Sequence, residues 1–190
     1  MILLVNDRLE ELDINEAISI LPKWRREKAL KYIHDIDRRQ SIAAWLLLRQ
    51  ACVDFLSLED VPEIAFGEHG KPFFPSFPDI HFNLSHCKEA VICVVDKRPV
   101  GVDIEGIHPL DEDVMHHVFN KDECDRIMAS DSPGIAFSRL WTMKESLLKL
   151  SGEGLCNDLR SLLEERKAVR FETVVAPSGR YVYSVASEAD

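Results

Sequence analysis

Val100-Gly-Val-Asp-Ile-Glu105 is the stretch on which the reading of the whole chain turns. It follows a turn signal at residues 96–99 and reads as a strand over residues 100–105. Alternate side chains of a strand share a face, so Asp103 and Glu105 point one way while Val102 and Ile104 face the core. Two carboxylates on one face repel unless a proton or a cation lies between them. A hard, oxygen-seeking cation meets that need, and Mg²⁺ commonly takes one or two carboxylates together with waters and substrate phosphates. An isolated Asp-x-Glu fits a solvent-facing edge strand as well.

Upstream, residues 90–95 and 81–84 read as two more strands, and the second leads into Phe82-Asn-Leu-Ser-His86. That places Ser85 and His86 where the chain turns, a common position for binding groups. The Ser85 hydroxyl could donate to a phosphate oxygen, and His86 could do so as a cation. A hydrolase reading of this pair fails, because adjacent residues do not easily adopt nucleophile–base geometry and no Gly-x-Ser-x-Gly turn is present. A loop over residues 67–79 holds Gly70-Lys71-Pro72, which would present one positive charge at a fixed place. Before it, residues 39–55 carry a strong helical pattern, with Ile42, Trp45, Leu46, Arg49 and Val53 recurring at three and four. Trp24, Lys28, Ala29, Tyr32 and Ile33 show helical spacing on a charged segment, and residues 2–5 read as a first strand.

Downstream, residues 111–119 and 121–129 form two short helices and residues 133–150 a long one. Pro133 lies in its first turn, and Gly152 and Gly154 stop it. On this helix Trp141-Thr-Met-Lys-Glu-Ser-Leu-Leu-Lys149 sets Glu145 and Lys149 on one face. A carboxylate and an ammonium there could grip a metal and a phosphate; a plain surface ion pair is the other option. Strands at residues 168–176 and 181–186, joined by a Pro-Ser-Gly turn, close the chain. The outline is strand, helices, strands, stated twice, with the join near residues 96–100.

The 190 residues are 46% hydrophobic and 29% charged, which suits a soluble folded chain. The net charge of -10 argues against general nucleic-acid binding. Residues 23–39 nevertheless hold seven basic against three acidic side chains, a local +4 on a body of -14. Such a patch suits a compact polyanion such as a nucleotide, or simply a solvated helix face. Five scattered cysteines, Cys52, Cys87, Cys93, Cys124 and Cys156, contain no Cys-x-x-Cys and fit a reducing cytoplasm. Neither a signal peptide nor a membrane span is expected, since the longest strongly apolar run, residues 42–48, is far below the ~20 residues a span requires.

Gly70-Lys-Pro, Phe82-Asn-Leu-Ser-His, Val100-Gly-Val-Asp-Ile-Glu, Phe119-Asn-Lys-Asp-Glu, Trp141-x-x-Lys-Glu-x-x-x-Lys and Gly152-x-Gly-Leu155 follow one another in that order. This ordered set resembles the Sfp-type 4′-phosphopantetheinyl transferases. The resemblance implies an α+β fold, a pseudo-dimer of two similar α/β halves, each a three-stranded antiparallel sheet with a long packing helix. The halves would be residues 1–98 and 99–190, with coenzyme A in the cleft between them.

The resemblance also implies roles. Asp103, Glu105 and Glu145 match Mg²⁺ ligands, with Mn²⁺ equally open. Lys144 and Lys149 match phosphate or base-assisting groups, and Glu145 a general base. Ser85 and His86 are similar to the pair that holds the 3′-phosphate or pyrophosphate of coenzyme A. Lys71 matches the lysine that steadies the adenine nucleotide, Arg25 and Lys28 match basic residues for the 3′-phosphate, and Glu123 matches a carboxylate near the metal. One position departs: where the family often has Arg before Ser or Thr, this chain has Gln40, with Arg39 one residue earlier.

The implied reaction moves the phosphopantetheine arm to a serine of an apo acyl- or peptidyl-carrier protein and releases 3′,5′-ADP, in a cytoplasmic monomer with no nucleic-acid or membrane partner. The carrier would dock through apolar contacts, for which Phe73, Phe74, Phe77 and Phe119 are candidates although core burial suits them too. The competing classes are another metal-dependent phosphotransfer enzyme, such as a phosphohydrolase, and a non-catalytic coenzyme A-binding protein.

Overall fold

The computed structural model describes residues 1–152, 154, 159–165 and 168–189. Its strands are β1 (Ile2–Asn6), β2 (Ala65–Phe66), β3 (Pro72–Phe73), β4 (His81–His86), β5 (Val91–Asp96), β6 (Val100–Gly106), β7 (Val169–Val175) and β8 (Tyr181–Glu188). Its helices are α1 (Ile14–Ser19), α2 (Lys23–Leu30), α3 (Asp35–Leu56), α4 (Glu112–Val118), α5 (Lys121–Met128), α6 (Pro133–Ser151) and α7 (Leu162–Glu165). Two three-stranded sheets, ordered β1-β5-β4 and β6-β8-β7, are antiparallel throughout, and β2 and β3 form a small separate hairpin.

Side-chain alternation gives each sheet two apolar faces, and the architecture follows from covering all four. Cys93, Val95 and Phe82 face α3, where they meet Leu48, Ala51 and Cys52. On the opposite face Ile92 and Val94 pack against Val102, Ile104 and Val185 of the second sheet. The outer face of that sheet, with Phe171 and Ala186, meets Leu147 and Leu150 of α6. The result is four layers, helix–sheet–sheet–helix, with the two sheets back to back.

Helix α6 lies unusually close to β6. A Cβ on Gly101 would stand 2.1 Å from the Ser146 carbonyl oxygen and 2.4 Å from the Leu150 backbone nitrogen. Small residues continue the approach. The Ser184 hydroxyl sits 2.8 Å from both the Thr142 and the Thr173 hydroxyls, so a buried polar triplet joins α6 to the middle of the sheet.

Several elements differ from the sequence expectations. Strand β4 runs through His86, paired with Val91, because a tight turn (Cys87 N–H to the Ala90 carbonyl, 2.9 Å) supplies the reversal two residues later than expected. Ser85 and His86 therefore lie on the strand, not at its turn. Helix α3 begins at Asp35, where Asp35 and Asp37 suit the positive end of the helix dipole. Helix α1 was not anticipated, although Asp13 caps it through the N–H groups of Asn15 and Glu16. The loop over residues 67–79 contains β3. Phe74 and Phe119 are core residues, Phe77 is half-buried and Phe73 remains exposed. Among the described residues the four cysteines are free, and no helix is long and apolar enough to cross a membrane. Leu155 and Cys156 lie outside the described residues.

Replacing Gly101 by Ala should lower stability by about 1–3 kcal/mol, since a Cβ would meet backbone atoms that cannot turn aside. Urea denaturation of the wild type and the variant measures it.

Candidate active site

The site forms where β6, the free edge of its sheet, meets β4, the edge of the other. Asn83 and Ser85 share one face of β4 and reach across this seam. The Asn83 Oδ1 accepts the Val102 N–H at 3.0 Å, satisfying an edge amide that has no strand partner. The Ser85 hydroxyl donates to Asp103 Oδ1 at 2.9 Å. From the other side the Lys149 ammonium donates to the same Asp103 oxygen at 2.6 Å and to Ser85 Oγ at 2.8 Å. Asp103 is only 3% exposed, so its charge needs this compensation. Its second oxygen, Oδ2, is buried with no hydrogen-bond partner.

Helix α6 presents Trp141, Glu145 and Lys149 at four-residue intervals, which places them on one side of the helix. The Trp141 indole N–H donates to Glu105 Oε1 at 3.1 Å, while Lys149 reaches Asp103, so the helix and β6 run in opposite senses. Burial, followed by the Asp103 charge, pushes the Glu105 carboxyl up to about 7. Burial and Asp103 also raise Glu145, with Lys149 opposing. His86 is lowered by burial and by Lys149. Three carboxyl groups thus feel one another's charge in a poorly solvated place, and one carries a buried orphan oxygen; this donor set suits a hard divalent cation. As the side chains stand, Lys149 supplies the cation to Asp103, and among the described residues no three His, Cys, Asp or Glu side chains are grouped closely enough to hold a metal.

Beside the seam lies a cavity of ≈ 270 Å³ lined by Lys71, Asn83, Glu145, Leu148, Lys149 and Gly152. Lys71 crosses its rim and donates to the Leu150 carbonyl at 2.8 Å, placing a cation at the C-terminal end of α6. Gly152, at φ 71°, ends the helix in a left-handed turn, and the Lys71 stem packs over it. The Gly-Lys-Pro loop and the Gly-x-Gly segment therefore form one wall.

Not every expected residue joins this group. Lys144, next in sequence to Glu145, points to another side of α6 because consecutive helical residues diverge by about 100°. It is buried and pairs with Glu123 at 2.8 Å, its ammonium also donating to the Leu159 carbonyl at 2.6 Å. Glu123 in turn completes a capping box with Asn120 at the start of α5. Lys144 and Glu123 thus brace the helices behind the site. In the first half, the Arg25 guanidinium donates to the Ser41 carbonyl at 2.7 Å and lies over the Trp45 ring. Arg39 bonds the Leu12 carbonyl at 3.3 Å, and Gln40 is buried with its amide on the Cys87 carbonyl at 2.7 Å. Lys28 stays exposed. The sequence reading missed Asn83 and the Trp141–Glu105 bond. The alternation that pairs Asn83 with Ser85 on β4 was available as a signal.

The second half matches the model of the 4′-phosphopantetheinyl transferase superfamily over residues 99–185, and the first matches that of the 4′-phosphopantetheinyl transferase N-terminal region over residues 10–98. The chain is 35% identical over 160 residues to 4′-phosphopantetheinyl transferase Sfp of Bacillus subtilis, covering 82% of this chain and 71% of that one. The chain belongs to the Sfp-type 4′-phosphopantetheinyl transferases. It is also 33% identical to 4′-phosphopantetheinyl transferase psf-1 of Bacillus pumilus over 83% of this chain and 69% of that relative. To 4′-phosphopantetheinyl transferase AcpT of Salmonella typhimurium it is 36% identical over 58% of this chain and 59% of the other. The family is one of transferases, and the two back-to-back sheets, each with its long helix, are its pseudo-dimeric fold.

Because Glu105 holds its proton more tightly when folded, stability falls as pH rises from its ordinary 4.5 through about 7. Glu105→Gln should therefore be more stable than the wild type above pH 7 in the absence of divalent ions, with the difference shrinking toward pH 4.5. Thermal unfolding of both proteins across that range checks this.

Proposed function

We propose that the chain transfers the 4′-phosphopantetheine arm of coenzyme A to a serine hydroxyl of an apo acyl- or peptidyl-carrier protein, releasing 3′,5′-ADP. The observation that carries the reading is the Asp103 carboxylate, held at the seam by Ser85 and Lys149 with its second oxygen buried and unpartnered beside the Glu145-lined cavity. Asp103, Glu105 and Glu145 would hold Mg²⁺. When bound, the ion supplies charge neutralisation at the pyrophosphate and makes its phosphorus more electrophilic.

The chain's own residues do the rest. Lys149 has a third N–H, beyond those on Asp103 and Ser85, to offer to the pyrophosphate oxygens; Ser85 can offer its hydroxyl there on releasing Asp103, and His86 stands on the same strand beyond them. Lys71 sets a positive charge at the nucleotide end of the cavity. Phosphoryl-type transfer depends mainly on such positioning and charge complementarity. The carrier serine oxygen bonds to the β-phosphorus as the bond from that phosphorus to the bridging oxygen breaks, so that 3′,5′-ADP departs. Glu145 takes the serine proton; its burial raises its proton affinity, as the role requires. Phe73, exposed beside Lys71, is the aromatic placed to meet the carrier.

The division into residues 1–98 and 99–190 is supported by the strand content of the two sheets. Back-to-back packing within one chain supports a monomer, and free cysteines suit the cytoplasm. In the first half Arg25, Arg39 and Gln40 are all turned to backbone carbonyls, leaving Lys28 as the exposed cation of the set for the 3′-phosphate.

Incubation with coenzyme A, Mg²⁺ and an apo-carrier should add the mass of one phosphopantetheine arm to the carrier. Glu145→Gln should slow this by ~10²–10⁴-fold. Hydrolysis of coenzyme A with no carrier labelling would favour a phosphohydrolase instead, and binding without turnover a passive nucleotide-binding role. With Gln40 committed to Cys87, the preference for coenzyme A over its form lacking the 3′-phosphate should be shallow; a steep preference in kcat/KM would count against that assignment.

A further inference from the structure

Among the three carboxyl groups at the seam, Glu105 is held by a neutral donor from the facing helix. The Trp141 indole N–H meets its Oε1 at 3.1 Å. An indole can only donate, so it engages one accepting oxygen of Glu105 and leaves the other free for a different partner. The ring's own orientation is set independently of Glu105. It stacks on Phe137, one helical turn earlier, with centroids 6.1 Å apart and planes 10° from parallel. Phe137 in turn meets the buried Phe119 edge-on at 5.3 Å. This aromatic row runs back into the core formed by α4, α5 and α6, where Met115, Cys124 and Ile127 are buried. The direction of the N–H bond is therefore determined by the core.

Glu105 would otherwise have freedom. It borders a second cavity, of ≈ 240 Å³, that it shares with Trp141, His108, Asp111, Phe137 and Ser138. A carboxylate in that position can turn toward the cavity or toward Asp103, and the repulsion of Asp103 favours the cavity. The indole bond opposes that drift.

Building on the metal-dependent reading above, we propose that Trp141 is a positioning residue of the divalent-cation site: its N–H clamps one Glu105 oxygen so that the other is available to a cation shared with Asp103 and Glu145. Partners of this kind, one bond removed from the ion, typically change metal affinity by ~10–100-fold when lost. The role differs from simple packing, because the Phe137 side of the ring supplies packing and the nitrogen side supplies the clamp.

The test is Mn²⁺ binding to the full chain without coenzyme A, read by electron paramagnetic resonance, for the wild type, Trp141→Phe and Phe137→Leu. Trp141→Phe keeps a ring and loses the N–H, and should bind Mn²⁺ ~10–100-fold more weakly. Phe137→Leu keeps the indole N–H but loosens the row that aims it, and should weaken Mn²⁺ binding by a smaller factor than Trp141→Phe does. In the wild type, the Trp141 indole ¹H–¹⁵N resonance, assigned through its cross-peaks to the Phe137 ring, should shift with added Mg²⁺ and saturate with the binding curve; this reading holds even if Trp141→Phe does not fold. Unchanged or tighter binding by Trp141→Phe overturns the proposal, as does equal weakening in Phe137→Leu or an indole resonance indifferent to Mg²⁺. A wild type that binds no divalent ion removes the metal-dependent reading itself, and the clamp with it.

Discussion

The Ser146 carbonyl of α6 occupies the space where a side chain on Gly101 would begin, and the site's dimensions follow from that contact. Helices usually stand off a sheet by the thickness of two side chains. Here Gly101, Ser146, Thr142, Ser184 and Ala186 keep the interval small; the Thr142 and Ser184 hydroxyls bond each other, and that of Ser146 donates to the Met143 carbonyl. Lys149 and Trp141 consequently reach the two acidic residues of β6 directly. Lengthening the gap would leave Asp103 buried without its ammonium, which is a costly arrangement for a charge.

The charges at the seam form a system poised around one deficiency of positive charge. Asp103 has its lysine at 2.6 Å, while burial and then the Asp103 charge raise the proton affinities of Glu105 and Glu145 more than Lys149 lowers them. Each half of the chain contributes: Ser85 and Asn83 come from β4, Asp103 and Glu105 from β6, and Glu145, Lys149 and Trp141 from α6. The site exists only where the two sheets have packed back to back, so the apolar contacts of Ile92 and Val94 with Val102 and Val185 are a condition of its chemistry. Behind it, Lys144, Glu123 and Asn120 tie α6 to α5 and to the Leu159–Arg160 backbone, holding the helix that carries the polar face.

Much of this could be read from the residues. Period-two alternation placed Asp103 with Glu105, and the four-residue interval placed Glu145 with Lys149; both relations hold. The order of short motifs identified the family, which the comparisons with known proteins show. Less was legible where two elements distant in sequence meet. That Asp103 is buried was hidden because a strand edge looks solvated until β4 is laid beside it. Lys144 looked like a neighbour of Glu145 in function, yet the helical step sends it to a buried partner 21 residues away in sequence. Arg25 and Arg39 looked free as basic residues, but their donors go to the carbonyls of Ser41 and Leu12, partners that no sequence spacing announces.

Strand β6 is an outer strand of its sheet, and its open side would ordinarily invite another chain to lay a strand against it. The Asn83 amide removes that opportunity by taking the Val102 N–H, and β4 shields the rest. One side chain that touches neither acid nor base thereby spares a fully buried backbone amide the desolvation penalty of going unpaired, and stitches the two lobes together where no ladder can form.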